Sequence, residues 1–229
     1  MLLLVGLGNP GPSHARNRHN VGFMALDRIV QRHSFGPMRD RFHAQSREGS
    51  VGDHRALALK PQTYMNLSGR AVAAAMRFYK VQPADVFVLH DEIDLSPGKV
   101  RAKCGGGTAG HNGLRSIEDY IGPEFWRVRI GVGRPEGERD AAGYVLQNFG
   151  AEDKVWLDPV LEAIALSLPL LLAGAAPRFM NDVARMTAPP KPKRPKPAPG
   201  ADAGANTGAN TGEGKAAPDP DTGKDGDGV

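Results

Sequence analysis

The chain opens with an apolar run that ends in a glycine-rich loop. Residues 2–5 are all aliphatic, and Gly6-Leu7-Gly8-Asn9-Pro10-Gly11 follows them. A short apolar run closed by glycines is typical of a buried central strand that stops at a tight loop. In open α/β sheets, ligands bind just beyond the carboxyl ends of such strands. We therefore expect Asn9 and the Arg18-His19-Asn20 cluster to lie in a functional crevice.

Helical and strand patterns alternate after this opening. Helical spacing begins after Asn20, which we expect to cap the first helix, and again at Ser68. Strand patterns cover residues 42–47, 56–60, 86–89, 99–103 and 126–132. Later helical patterns run from 152 to 172, interrupted at Pro169, and from 178 to 186. This alternation predicts an α/β fold, a single three-layer α/β/α domain with a mixed twisted sheet.

The composition changes near residue 188. Alternating Pro and Lys give way to a repeated Gly-Ala-Asn-Thr and then to an acidic, Gly-rich end. Such a segment lacks the apolar side chains that offset the entropy of an ordered chain. We expect a catalytic domain over residues 1–187 and a disordered tail over residues 188–229.

The charge and the cysteine content limit which partners and which cellular compartment suit the protein. The 29 Lys and Arg exceed the 25 Asp and Glu, and the net charge of +4 lies in residues 1–187, which permits an anionic partner. The single cysteine, Cys104, excludes an internal disulfide and fits a reducing compartment.

The apolar stretch at 164–176 is shorter than the roughly 20 residues that a bilayer requires. With no signal-peptide pattern at the amino terminus, we expect a soluble cytoplasmic protein without a membrane partner.

Polar residues follow two further predicted elements and are expected to meet His19. His90-Asp91-Glu92 follows the strand at 86–89, and His111-Asn112 ends a glycine-rich loop. Asp91 can accept one ring N–H of His19 and leave the other nitrogen basic. A histidine–aspartate pair among amide donors suits general-base hydrolysis. Because no Gly-x-Ser-x-Gly elbow is present, direct attack by water is favoured.

Two other site types fit parts of the same sequence. Gly6-x-Gly8-x-x-Gly11 matches the dinucleotide fingerprint, but Pro10 and Pro12 remove N–H donors that a pyrophosphate would need. A divalent metal site, as in a metal-dependent nuclease, is the second alternative, with ligands His90, Asp91, Glu92 and Asp94. Metal sites usually draw ligands from further elements, and no second acidic cluster stands out.

Basic side chains alternate on the strands that flank the second glycine-rich loop. They are Arg101, Lys103 and Arg129. Such a row is either a solvated face or, beside a functional site in a basic domain, a phosphate clamp.

Six sequence blocks, in order, resemble the bacterial-type peptidyl-tRNA hydrolases, and the resemblance covers roughly residues 1–186. The blocks are Gly6-Leu-Gly-Asn-Pro-Gly11, Arg18-His-Asn20, Lys60-Pro-Gln-Thr-Tyr-Met-Asn-Leu-Ser-Gly69, His90-Asp-Glu-Ile-Asp94, Gly110-His-Asn-Gly-Leu114 and Arg127-Val-Arg-Ile-Gly131. The resemblance implies hydrolysis of the ester that joins a peptide to the terminal ribose of tRNA. It also implies a monomer that needs no cofactor and no metal.

The resemblance assigns roles to residues of this chain. His19 would be the base that activates water, and Asp91 would orient it. Asn9 would distinguish blocked from free amino groups, while Asn66 and Asn112 would hold the peptide backbone and the water. Tyr64 would line the substrate groove. The phosphates of the acceptor stem would be held by Arg101, Lys103 and Arg129.

The chain departs from the family pattern near this site. His14 stands where the family usually has Tyr, so His14 is our candidate for stacking against the terminal nucleotide. Asn17 replaces a common Thr, and Thr108-Ala109 replaces the usual residues of the glycine-rich loop.

A different class of function also stays open, a non-catalytic RNA-binding scaffold on the same fold. The retained His19 and Asp91 argue against it, because a scaffold has no need of them.

Overall fold

The structure is a computed structural model that describes residues 1–134 and 140–188. Nearly all of the predicted tail, 188–229, lies outside the described residues. The tail's disorder and the domain boundary after residue 187 therefore remain predictions.

One mixed sheet forms the middle layer of the described residues. Its strands are β1 (Leu2–Gly6), β2 (Arg39–Arg41), β3 (Ala44–Val51), β4 (His54–Pro61), β5 (Val86–Glu92), β6 (Val100–Cys104) and β7 (Trp126–Gly131). They lie in the order β2-β3-β4-β1-β5-β7-β6. The central β4, β1, β5 and β7 are parallel, whereas the outer strands β2, β3 and β6 pair antiparallel. The carboxyl ends of the central strands therefore meet at one edge.

Helices cover both faces of this sheet. They are α1 (Val21–Arg32), α2 (Ser68–Tyr79), α3 (Asn112–Ile121), α4 (Ala141–Val145), α5 (Lys154–Leu172) and α6 (Ala176–Thr187). One core joins the sheet to α1, α5 and α6, and the other joins it to α2 and α3. In β1, Leu4 faces the first core, and Leu3 and Val5 face the second, which is why the whole strand is apolar. The predicted three-layer α/β/α class is confirmed.

The start of α1 packs tightly onto the ends of two central strands. A Cβ at Gly22 would lie 2.2 Å from the carbonyl oxygen of Leu89 and 2.6 Å from the backbone nitrogen of Leu7, so only glycine fits there. This close approach places the 3₁₀ turn just before α1, residues 18–20, against β5. His19 is brought to Asp91 by this contact.

All five strands predicted after residue 41 differ from the structure at one or both ends, by up to four residues. The strand predicted from residue 42 begins at Ala44, because Phe42 and His43 have φ angles of 60° and 55° and turn the chain from β2 into β3. The strand predicted over 86–89 runs on to Glu92. His90, Asp91 and Glu92 are thus the buried last residues of β5 rather than a turn after it.

The predicted interruption of the long helix at Pro169 is also wrong. Proline removes one backbone N–H and leaves the carbonyl four residues earlier without its helical partner. That carbonyl belongs to Ala165, and the Nε2 of His33 donates to it at 2.9 Å. The helix α5 therefore continues through Pro169 to Leu172.

The helix α5 is long and apolar enough to cross a membrane by length and composition alone, although 56% of its apolar 18-residue window is buried inside the protein. It packs between α1 and α6. Its apolar side chains therefore pack in the core of this domain.

Candidate active site

A histidine and an aspartate from distant parts of the chain meet where β5 ends. The Nδ1 of His19 lies 2.8 Å from Oδ1 of Asp91. The side chains are 12% and 3% exposed, respectively, so water competes little for this contact. An ionised carboxylate only accepts hydrogen bonds, so Nδ1 carries a proton, and in the neutral ring Nε2 then keeps its lone pair. The predicted pair is present in the geometry that a general base requires.

A second histidine, His111, contacts the same carboxylate oxygen. Its Nε2 lies 3.1 Å from Oδ1 of Asp91. Its Nδ1 accepts the backbone N–H groups of Gly113 and Leu114, at 3.1 and 3.3 Å, and so caps α3. His111 was predicted from the sequence to lie at this sheet edge, but no role was predicted for it. Its capping role has no sequence signal, because histidine is not among the residues favoured at N-caps.

Asn9 is held by two other parts of the chain. Asn20 donates from Nδ2 to the Asn9 carbonyl and accepts from the Asn9 N–H, both at 2.9 Å. The Oδ1 of Asn9 accepts the backbone N–H of Met65 at 3.2 Å. Asn20 was expected to cap α1, but its side chain makes no cap hydrogen bond. The amide Nδ2 of Asn9 is left to serve as a donor toward the cleft.

These groups line one cleft of about 570 Å³. Its polar wall contains Asn9, His19, Asp91, His111 and Asn112. Its apolar wall includes Met65, Ile93, Ala142, Val145 and Leu146. The helix α4, which supplies part of the apolar wall, was not predicted because five residues are too few for a clear helical period.

The remaining predicted substrate residues lie outside the lining of this cleft. Tyr64 (75% exposed) and Asn66 (also exposed) flank Met65, which does line it. His14 donates from Nδ1 to Oδ1 of Asn17 at 2.8 Å, so two departures from the family pattern contact each other. The Nδ2 of Asn17 in turn donates to Oδ1 of Asn148 at 2.9 Å, just beyond α4.

The predicted basic residues lie on β6 and β7. Lys103 and Arg129 lie beside the cleft, whereas Arg101 lines a separate cavity with residues of α5 and α6. Arg101 and Lys103 are exposed, and Arg101 pairs with Arg129 in the register of these strands. Lys103 and Arg129 line a smaller cavity of about 170 Å³. The Nε of Arg129 donates to Oε2 of Glu92 at 2.9 Å. Since Glu92 lines both cavities, the basic cavity adjoins the cleft.

Burial and neighbouring groups shift two pKa values at this edge. Burial alone would raise the pKa of Asp91, but His111 and then His19 outweigh it, so that pKa lies well below its usual range. Burial, reinforced by His111, lowers the pKa of His90 to about 3. The Nδ1 of His90 donates to the carbonyl of Asp91 at 2.7 Å, and among the described residues its Nε2 has no partner. Asp91 is therefore ionised and His90 neutral near pH 7.

The metal interpretation of the acidic cluster does not fit the contacts. Glu92 pairs with Arg129, and Asp94 pairs with Arg134. A different trio, His19, Asp91 and His111, places one ligand atom each within 4.8 Å of one another. A metal on Nε2 of His111 would need both ring nitrogens unprotonated, because Nδ1 already accepts two N–H groups. These residues suit a hydrogen-bond network better than a metal centre.

The dinucleotide interpretation also fails on local structure. That motif requires the glycine-rich loop to open a helix directly. Here a 3₁₀ turn at Pro12–His14 follows the loop, and α1 begins only at Val21.

A comparison with family models identifies the chain. The model described as "Peptidyl-tRNA hydrolase" matches residues 3–192. The chain belongs to this family. The resemblance stated from the six sequence blocks is thus confirmed.

Curated relatives and a solved structure agree with this assignment. A peptidyl-tRNA hydrolase of Ruegeria pomeroyi is 57% identical over 84% of this chain and 80% of its own length. One of Parvibaculum lavamentivorans is also 57% identical, over 86% of this chain and 96% of its own length. The crystal structure of peptidyl-tRNA hydrolase from Acinetobacter baumannii superposes with a TM-score of 0.75 at 38% identity, covering 80% of this chain and 94% of that one.

Proposed function

We propose that this protein hydrolyses the ester bond between a peptide, or an N-blocked aminoacyl group, and tRNA. The observation that carries the proposal is the 2.8 Å contact between His19 and Asp91 in the wall of a cleft. Membership of the peptidyl-tRNA hydrolase family supplies the substrate class. A non-catalytic RNA-binding scaffold on the same fold would have no need of this base.

In this proposal His19 acts as the general base. Its Nε2 removes a proton from a water molecule as the oxygen attacks the ester carbonyl carbon. Asp91 accepts a hydrogen bond from Nδ1–H, which holds the ring in the correct tautomer and stabilises the imidazolium that forms. The carbon–oxygen bond to the ribose then breaks, and the proton on Nε2 passes to the departing ribose oxygen. The products are free tRNA and the peptide acid, which releases its remaining proton to solvent as the carboxylate.

Asn9 accounts for selection of blocked amino groups. Its Oδ1 is engaged by the N–H of Met65, so its Nδ2 presents donors to the cleft. A peptide or acetyl carbonyl is an acceptor that matches this donor. The free ammonium of an aminoacyl-tRNA is itself a donor and leaves the Asn9 amide unpaired, which costs binding free energy.

The other roles in this proposal are those that the family resemblance implies. Asn112 lies in the cleft wall, where it can hold the peptide backbone and the attacking water. Tyr64 and Asn66 would contact the peptide where it leaves the cleft, and His14 would stack on the terminal nucleotide. The acceptor-stem phosphates would be held by Arg101, Lys103 and Arg129. A monomeric protein that acts in the cytoplasm and needs no cofactor completes the proposal.

The direct test is release of the acyl group from N-acetyl-aminoacyl-tRNA in excess EDTA. The matched control is the same aminoacyl-tRNA without the acetyl group. We expect rapid release from the acetylated substrate and little from the control. No release from either substrate, or release that requires an added divalent metal, would contradict the proposed function.

A further inference from the structure

The carboxylate oxygen that orients His19 is shared. Oδ1 of Asp91 receives Nδ1 of His19 at 2.8 Å and Nε2 of His111 at 3.1 Å, and the two rings are 4.9 Å apart. The His111 side chain is only 7% exposed, so this second contact is also shielded from water.

The tautomer of His111 follows from its other nitrogen. Nδ1 of His111 accepts the N–H groups of Gly113 and Leu114, so it carries no proton. The proton of the neutral ring must then reside on Nε2, which faces Asp91. Backbone donors at the first turn of α3 thereby make His111 a constant donor to the carboxylate.

We propose that His111 is a positioning residue that sets the basicity of His19 by sharing Oδ1 of Asp91. This inference rests on the proposed role of His19 as general base. A hydrogen bond to the carboxylate stabilises its charge and so weakens its pull on the proton of the neighbouring ring. Without His111, the full charge of Asp91 would act on His19 and favour its protonated form. The base would then be blocked by a proton at a higher pH.

The same side chain also caps the helix that begins with Asn112. His111 caps α3, and Asn112, the first residue of that helix, lies in the cleft wall. One imidazole therefore joins the carboxylate behind the base to the helix that carries a substrate contact. Loss of the cap and loss of the shared oxygen are separable effects, because they involve different ring nitrogens.

The other charged or titratable groups around His19 in the described chain are engaged elsewhere. They are Arg18, His90, Glu92 and Asp140. Arg18 pairs with Asp153 and Glu92 with Arg129. The carboxylate of Asp140 accepts the backbone N–H groups at the start of α4, and His90 donates to the backbone of its own strand. His111 is the group that shares the Asp91 oxygen with the base.

Two variants separate the ring nitrogens. In His111→Asn, the amide lies near the position of Nδ1, so the cap can persist while the contact with Asp91 is lost. In His111→Gln, the longer amide reaches the position of Nε2, so the donor to Asp91 is kept and the cap is lost. The first variant tests the shared oxygen, and the second is its matched control.

The kinetic readout is the pH dependence of kcat/KM. We expect the acidic limb of the Asn variant to move to higher pH by about one unit. The Gln variant should keep the limb of the unchanged protein but melt roughly 2–4 °C lower. An acidic limb that stays in place in the Asn variant, or moves equally in both variants, would overturn the proposal.

A readout without substrate keeps this test distinct from the proposed function. Imidazole ¹⁵N NMR of the unchanged protein near pH 7 should show the proton on Nε2 of His111 and on Nδ1 of His19. The Nδ1 proton of His19 should move downfield in the Asn variant, because its bond to Asp91 strengthens. A proton on Nδ1 of His111, or no shift in the Asn variant, would overturn the inference. Absence of hydrolysis by the unchanged protein would instead contradict the proposed function.

Discussion

The side chain of Asn20 binds the backbone of Asn9 through two hydrogen bonds of 2.9 Å, one to its N–H and one to its carbonyl. Asn20 is only 2% exposed, so its amide has no ready alternative partner in water. The pairing holds the loop after β1 so that the Asn9 amide faces the cleft.

Replacing Asn20 by Ala should therefore damage both activity and stability. Loss of two buried hydrogen bonds is expected to lower the free energy of unfolding by about 1–3 kcal/mol. Misplacement of Asn9 is expected to lower kcat/KM by up to about a hundredfold. Denaturant unfolding and steady-state hydrolysis measure the two effects.

Ser46→Ala is the matched control for this variant. The buried hydroxyl of Ser46 on β3 donates to the carbonyl of Arg39 at 3.0 Å, away from the cleft. We expect it to lose stability and keep its kcat/KM. Normal kcat/KM in the Asn20 variant would show that this pairing does not position Asn9.

The proposed phosphate contact of Lys103 predicts a defect in binding rather than in chemistry. Lys103→Ala should raise KM for tRNA substrates and leave kcat within about twofold. The salt dependence of log(kcat/KM) should become shallower by about one, since one phosphate contact is lost. Arg55→Ala removes the same charge from the exposed start of β4, where the amino ends of the central strands lie opposite the cleft, and should change neither value. Equal effects of the two variants would place the phosphates elsewhere.

Burial of His90 predicts a pH dependence of stability. Its pKa is lowered to about 3 in the folded protein, whereas an unfolded histidine titrates near 6.5. Above pH 6.5 both states are neutral, and the stability is fully present. As the pH falls below 6.5, the unfolded state binds a proton that the folded state does not. The free energy of unfolding should then fall by up to about 1.4 kcal/mol per pH unit.

His90→Asn isolates this contribution from that of the other histidines. The Asn amide can replace Nδ1 as donor to the carbonyl of Asp91 but does not titrate. Urea unfolding at pH 7, 6 and 5 should show the unchanged protein losing stability relative to the variant as the pH falls. Parallel losses in the two proteins would contradict a buried neutral His90.

The bond from His33 to the carbonyl of Ala165 predicts coupling with Pro169. His33→Ala should lower the free energy of unfolding by about 1–3 kcal/mol, because the carbonyl loses its donor. Pro169→Ala restores a backbone N–H four residues after Ala165, so His33→Ala should cost clearly less in that background. A double-mutant cycle on thermal unfolding measures the difference. Additive effects would mean that His33 does not compensate for the proline.

The central strands and the pairing of His19 with Asp91 could be predicted from the sequence. The runs at 2–5 and 86–89 are apolar throughout because both faces of these strands are buried. Parallel strands end at one edge of a sheet, which places His19 and Asp91 together without knowledge of the intervening chain. Asn9 follows from the same rule. Asn112 does not, because β6 is antiparallel and ends at the opposite edge, and the glycine-rich loop carries the chain back to Asp91.

Other features depend on contacts that no local pattern records. Asn20 looks like a helix cap, yet its amide binds a loop 11 residues earlier. His111 acts through both ring nitrogens, and only the fold shows which atoms they meet. Helix α5 survives Pro169 because His33, 132 residues before Ala165, supplies the donor. The exposure of Tyr64 and the hydrogen bond from Arg129 to Glu92 could likewise be learned only from the structure.

The central claim is that His19, oriented by Asp91, makes water reactive toward the ester. It is tested most directly by single-turnover hydrolysis of N-acetyl-aminoacyl-tRNA with His19→Ala, at enzyme concentrations that saturate binding. We predict a rate about 10²–10⁴ lower than that of the unchanged protein, with tRNA affinity retained. A His19→Ala rate within a few fold of that of the unchanged protein would contradict the account.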